Sequence, residues 1–260
     1  MNVLQNLIEL YNHLPSDSTY RDVVKGILLH LEEAADASIY DLAEMTSSSR
    51  TTIWRMLKKL GYENYADFRR ALKVAVGKYT FYNRIFPKKA VRSDETFIAH
   101  VSQEMTCAAS YLAKDFSAHP LKELAERISG KKQVYFYFPY RSSAIHSFQQ
   151  NLAFAGIETC AVCLLPEMME NALMTGPDTL VFCSVIEHAE TMDITPLFEL
   201  LHKRKAEVAL FAAEDSFYAD CADLLLCSNK EEEEGAVLSG ILRVDLYLYA
   251  LSEVFRRDYL

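Results

Sequence analysis

The sequence predicts two domains of different class: an all-α helix-turn-helix domain at the N-terminus, then an α/β domain built on a doubly wound, parallel, five-stranded sheet. Three observations carry this. Apolar residues repeat at helical spacing, with no strand pattern, over the first third of the chain. From residue 134 onward, short apolar runs alternate with helix-like segments, the pattern of βα units around a parallel sheet. Charge divides at the same place: residues 1–92 hold 14 Lys+Arg against 10 Asp+Glu, and the remainder holds 13 against 26.

The helices of the first part follow in order. Val24, Ile27, Leu28 and Leu31 share one helical face, as do Ile39, Leu42 and Ala43 in a short helix capped by Ser38, with Asp41 at its third position. Only Thr46, Ser47 and Ser48 separate that helix from the next, for which Ser49 is the N-cap and Gly61 the C′ residue. Tyr65, Phe68, Leu72 and Ala75 mark one more helix. The helical domain spans residues 1–77, and a linker with Pro87 and a basic cluster spans 78–93. The sheet domain covers 94–260. It opens with a helical stretch from Asp94 to Ser129, broken near Pro120, and continues through the strand-like runs VYFYF, ETCAVCLL, DTLVFCSV, EVALFAA and DLLLCS. The acid run at 231–234 reads as the start of a C-terminal helix, where the helix dipole favours negative charge.

Composition excludes several classes. With 260 residues and a 50% hydrophobic content, the chain fills proper cores and is not disordered. The N-terminus has no basic leader and no apolar run approaches the roughly 20 residues of a membrane span, which predicts a cytoplasmic protein with no membrane partner. The six cysteines are scattered. Cys160 and Cys163 have CxxC spacing but no second Cys or His pair nearby, so they read as buried thiols; neither a metal nor a cofactor is expected.

The segment 46–92 carries twelve basic residues against Glu63 and Asp67 alone, within a chain of net charge −9. Such a basic segment in an acidic chain points to a polyanion partner. On a helix from Arg50 to Leu60, residues Ile53, Met56, Leu57 and Leu60 form one side, and Thr51, Arg55, Lys58 and Lys59 the other. A helix of this kind fits the major groove of double-stranded DNA with its N-terminal residues at the base edges. Ser49, Arg50, Thr51, Thr52 and Arg55 are placed to read; Lys58, Lys59, Arg69, Arg70 and Lys73 suit backbone phosphates. Trp54 lies on the flank of that helix. Packing against Tyr62 or Tyr65 is its preferred reading, with DNA contact the alternative.

These residues resemble a known family. Ser38, Ile39, Leu42, Ala43, Ser49, Arg55, Lys59, Leu60, Gly61, Tyr62, Phe68, Arg69 and Leu72 match the helix-turn-helix pattern of the RpiR (MurR/RpiR) bacterial transcriptional regulators. One departure lies in the turn, where Ser47 and Ser48 replace the family's Gly and apolar residue; Ser47 is then required to adopt a left-handed conformation. The resemblance implies a C-terminal sugar isomerase (SIS) domain that binds phosphosugars, control of sugar or amino-sugar metabolism, and no catalytic residues. The family's G-x-G-x-S loop is replaced by Phe138, Pro139, Tyr140, Arg141 and Ser142, and its S-x-S-G by Ser184, Val185, Ile186 and Glu187.

Three readings of the second domain follow. It senses a small anionic or sugar-derived effector through Arg141, Ser142, Ser143, Ser184 and His188; or it is a dimerisation scaffold; or it is a phosphosugar isomerase using His188 and Glu187 as acid and base. A homodimer or tetramer on a two-fold operator is expected, because one short helix reads too few base pairs alone.

Overall fold

The computed structural model describes residues 3–82, 94–115, 118–185, 193–212, 216–227 and 237–260. The N-terminal domain comprises α1 (Val3–His13), α2 (Thr19–Leu29), α3 (Leu31–Asp36), α4 (Ile39–Met45), α5 (Arg50–Lys59) and α6 (Tyr65–Tyr82). Each contributes an apolar stripe to one core, in which Leu7, Val24, Ile27, Leu42, Ile53, Phe68 and Leu72 are fully buried. The repeat that begins at Val24 is divided at His30, whose φ of −134° and ψ of 47° leave the helical region, so Leu31 opens a separate helix. Helix α6 runs through to Tyr82, past residue 77. Pro87 and the rest of the expected linker lie outside the described residues, as does the acid run at 231–234.

The second domain comprises α7 (Asp94–Asp115), α8 (Ala118–Ser129), β1 (Gln133–Tyr137), α9 (Ser143–Phe154), β2 (Glu158–Val162), α10 (Leu165–Ala172), β3 (Thr179–Ser184), α11 (Thr195–Arg204), β4 (Glu207–Ala212), β5 (Leu224–Cys227) and α12 (Val237–Tyr259). Pro120 lies in the first turn of α8, where an absent N–H leaves no intrahelical bond unmade. The five strands pair in parallel in the order β2-β1-β3-β4-β5. The chain reverses direction across the sheet between β1 and β3, the point at which doubly wound folds place ligands.

One face of the sheet packs on α8, α9 and α12, the other on α10 and α11. The first is unusually aromatic. Phe136 stacks on Phe182 at 5.3 Å, Phe182 on Phe211 at 6.3 Å, and Tyr247 of α12 meets Phe211 edge-on at 5.4 Å. Strand β3 is buried along its whole length, as the continuous apolar run of a central parallel strand requires. Leu164, in the β2–α10 connection, is buried in the core of the helical domain and so joins the two domains.

Candidate nucleic-acid interface and strand-end cavity

Local chemistry sets the helix-turn-helix. Ser38 and Asp41 form a reciprocal capping box at the start of α4. Ser47 has a φ of 48°, the left-handed conformation that its place in the turn requires, and its N–H and that of Ser48 donate to Glu44 O and Ala43 O. Ser49 Oγ accepts from Thr52 N–H at 3.1 Å, starting α5. At the other end Gly61, with φ of 87°, donates to Lys58 O, and Tyr62 N–H to Leu57 O, a Schellman closure. The turn is held from behind by α2. A Cβ on Gly26 would lie 2.8 Å from the Thr46 methyl, so only glycine allows this approach.

The face so presented is cationic. Ile53, Met56, Leu57 and Leu60 are buried, while Thr51, Arg55, Lys58, Lys59 and Arg69 are exposed. The Arg50 guanidinium covers Tyr40 at 4.5 Å, and Lys59 lies 5.8 Å from the Tyr20 ring. Ser49 and Thr52 hydroxyls bond each other at 2.9 Å, so both position the helix end as well as facing a partner. Arg70 and Lys73 are engaged with Asp67 and Asp36. These are exposed pairs, which a phosphate can replace at little cost. The preferred packing of Trp54 is overturned. Its side chain stays exposed at 48%, with Lys58 Nζ 5.1 Å from its ring, while Tyr62 and Tyr65 turn to Phe68.

At the C-terminal ends of the strands, the candidate polar residues divide. Phe138 is buried and meets Tyr140 and Phe211, so rings occupy the space where glycines would admit a ligand. Ser142 caps α9 by accepting from Ala144 N–H, and its hydroxyl donates to Asp245 Oδ1 at 2.6 Å. A carboxylate of the protein thus stands beside the helix N-terminus that would otherwise attract a ligand anion. Burial raises the Asp245 pKa, and the Ser142 bond only partly offsets this. Ser143 Oγ is 2.8 Å from Tyr249 OH. Ser184 is buried at the end of β3 and its hydroxyl finds no partner among the described residues. His188, Glu187 and Ile186 lie outside them.

Arg141 turns toward the other domain. Its Nε donates to Glu9 Oε2 at 2.8 Å. His13 Nδ1 lies 2.9 Å from Glu9 O and 3.2 Å from Arg141 Nη2. A nitrogen that carries the proton for the carbonyl cannot accept from the guanidinium, so the second contact is proximity, not a hydrogen bond. Beneath Arg141, between α9 and β2, is a cavity of about 190 Å³. Cys163 at its edge has its thiol pushed up to about 12, chiefly by burial and then by the Glu9 charge. Sequence reasoning missed Glu9 and Asp245. Each is a carboxylate set within an apolar helical stripe, among Leu7 and Leu10 or Val244 and Leu248, and that interruption was the available signal.

Residues 1–78 match the family model described as a helix-turn-helix domain, rpiR family. No curated protein matches the chain. Among solved structures, the chain is similar to the Vibrio vulnificus NanR protein complexed with ManNAc-6P, at 19% identity and a TM-score of 0.49, over 99% of this chain and 92% of that one. It is similar also to the sugar isomerase domain of an RpiR transcription factor from Sphaerobacter thermophilus, at 15% identity and a TM-score of 0.42, over 60% and 96%. A third is the C-terminal domain of glucosamine-fructose-6-phosphate aminotransferase from Francisella tularensis, at 13% identity and a TM-score of 0.44, over 74% and 52%.

Proposed function

We propose that this chain, whose residues 1–78 form a helix-turn-helix domain of the rpiR family, is a DNA-binding transcriptional regulator of sugar or amino-sugar metabolism. The observation that carries the reading is α5: capped at both ends, buried on its apolar side, and presenting Arg50, Thr51, Arg55 and Lys58 outward from its N-terminal half onward. Base edges are read by Arg50, Thr51, Thr52 and Arg55, and phosphates are held by Lys58, Lys59 and Arg69. The chain acts as a homodimer or larger assembly on a two-fold operator, since a single α5 is too short to be selective.

The second domain, residues 94–260 in this reading, senses a small anionic or sugar-derived effector and does not catalyse. Phe138 and Asp245 support the absence of catalysis, because a ring and a carboxylate stand where a phosphosugar enzyme needs backbone donors, and Arg141 supports the effector. The same two residues favour a second reading, in which the sheet domain serves only as a dimerisation scaffold.

The test is selection of operators from a random double-stranded DNA library with the full chain, followed by salt titration of the enriched sequence. A two-fold motif with half-sites about 10 base pairs apart, or a multiple of that, is expected, with affinity falling steeply with salt. Enrichment of no sequence above the starting library would overturn the regulator reading.

A further inference from the structure

The cavity beneath Arg141 lies at the C-terminal end of β1, between α9 and the edge strand β2. Its walls are apolar on one side, with Phe136 and Phe138 from the sheet, Ile145 from α9, and Ala161 and Val162 from β2, while Tyr140, Ser142 and Cys163 add polar atoms. Arg141 stands at the mouth, with His146 and Gln149 on the α9 side. An apolar cavity of about 150 Å³ is enough to hold benzene, so about 190 Å³ admits one ring or branched alkyl group with a small polar head.

The head has a definite chemistry. Arg141 is the cation at the mouth, and 57% of its side chain is exposed, so a ligand reaches it. A planar guanidinium matches a carboxylate through two parallel hydrogen bonds. A phosphate dianion is disfavoured, because Glu9 is already beside the guanidinium and Glu167 also bears on Cys163 at the cavity edge. Glu9 itself is only 12% exposed; Arg141 Nε donates to its Oε2, and His13 Nδ1 lies 3.7 Å from the same oxygen. If a ligand carboxylate takes the guanidinium, Glu9 is left as a nearly buried charge with only His13, 3.7 Å away, beside it, which destabilises its present position. The α1 helix that carries Glu9 must then shift, and α1 is part of the DNA-binding domain's core.

We propose that the Arg141 cavity binds a small monocarboxylate with a compact aromatic or branched aliphatic body, and that its carboxylate displaces Glu9 and releases α1 from the sheet domain. This deepens the effector-sensing reading and rests on it.

The experiment uses the full chain with benzoate and 3-methylbutanoate as probes, and benzyl alcohol, phenyl phosphate and glucose 6-phosphate as comparisons. Thermal melting reports binding. The anisotropy of Trp54, the single tryptophan, reports the attachment of the helical domain. Benzoate or 3-methylbutanoate is expected to raise Tm by about 2–4 °C at about 100 times its Kd, and to lower Trp54 anisotropy. Glu9→Gln removes the competing charge and should tighten binding about tenfold; Arg141→Gln should abolish it. Ala161→Phe fills the cavity without touching Glu9 or Arg141, and should abolish binding while leaving Trp54 anisotropy as in the wild type. The proposal is overturned by absence of carboxylate binding to both wild type and Glu9→Gln, by binding that survives Arg141→Gln or Ala161→Phe, by unchanged anisotropy at saturation, or by glucose 6-phosphate binding that depends on Arg141. Operator binding is measured on the same sample. Intact operator binding without carboxylate binding sinks this inference alone, and absent operator binding sinks the regulator reading.

Discussion

Arg141 Nε lies 2.8 Å from Glu9 Oε2, tying the loop after β1 to the first helix of the helical domain. Beside this ion pair, Leu164 inserts from the sheet domain into the helical core with 1% of its surface exposed. Leu164 contributes to the joint through the apolar surface it removes from water. Leu164→Ala should therefore destabilise by about 2–5 kcal/mol. It should also split denaturant unfolding into two transitions, with Trp54 fluorescence moving ahead of far-UV circular dichroism. A single shifted transition by both probes would show that the joint does not depend on Leu164.

Arg55 and Lys58 face the same solvent but differ in task. Arg55→Ala should cost about 1–3 kcal/mol at the selected operator and relax selectivity at one base position. Lys58→Ala should weaken all sequences alike and reduce the salt slope by about one. Competitive binding to single-base operator variants at several salt concentrations separates them. If both variants bind as the wild type does, α5 is not the recognition helix.

The turn before α5 offers a stability test in both directions. Ser47 sits at φ 48°, where a Cβ is strained, so Ser47→Gly should stabilise the helical domain by about 1 kcal/mol. Ser49→Ala removes the bond to Thr52 N–H and should destabilise by about 1 kcal/mol. Denaturant midpoints read through Trp54 report both; a Ser47→Gly variant less stable than wild type would contradict the strain.

Asp245 carries a pH dependence of definite sign. Burial lifts its folded pKa above the ordinary 3.8, with the Ser142 bond opposing, so the folded state holds the proton more tightly than the unfolded chain. Ionised Asp245 is thus a destabilising group at neutral pH, and the penalty is relieved as pH falls through the folded value toward 3.8. Asp245→Asn keeps an acceptor for Ser142 and should be more stable than wild type at pH 7, with the gap closing toward pH 4. Urea unfolding of both proteins across that range decides it. A gap that widens with acid would reverse the assignment.

Catalysis is expected to be absent. Because Phe138 fills the strand-end crevice and Ser142 is committed to Asp245, purified protein should not interconvert ketose and aldose phosphates above the buffer rate. Turnover that disappears in His188→Ala would restore the isomerase reading.

The sequence by itself determined most of the elements. Caps at Ser38 and Ser49, the left-handed demand at Ser47 and the stop at Gly61 are local, because a backbone N–H finds its partner within three or four residues and the side chain that supplies it is written next to it. Strands buried in the middle of a parallel sheet read as unbroken apolar runs, so β1, β3 and β4 were legible without their pairing, and the partly exposed edge strands β2 and β5 kept short apolar runs of their own. The break at His30 was not, since Val24 and Leu31 keep helical spacing across it. Trp54 was misjudged for a related reason: its flank position on α5 is local, but whether another helix covers that flank depends on how α2 and α6 cross it. Only the tertiary structure decided the sheet-domain site. Arg141 meets Glu9 across 132 positions and Ser142 meets Asp245 across 103, and hydrogen bonds over such separations leave no periodicity in sequence. Residue types at the strand ends set this loop apart from the glycine-rich one that the resemblance implies; the folded packing set Phe138 against Tyr140 and Phe211, Ser142 against Asp245, and Arg141 against Glu9 of the other domain.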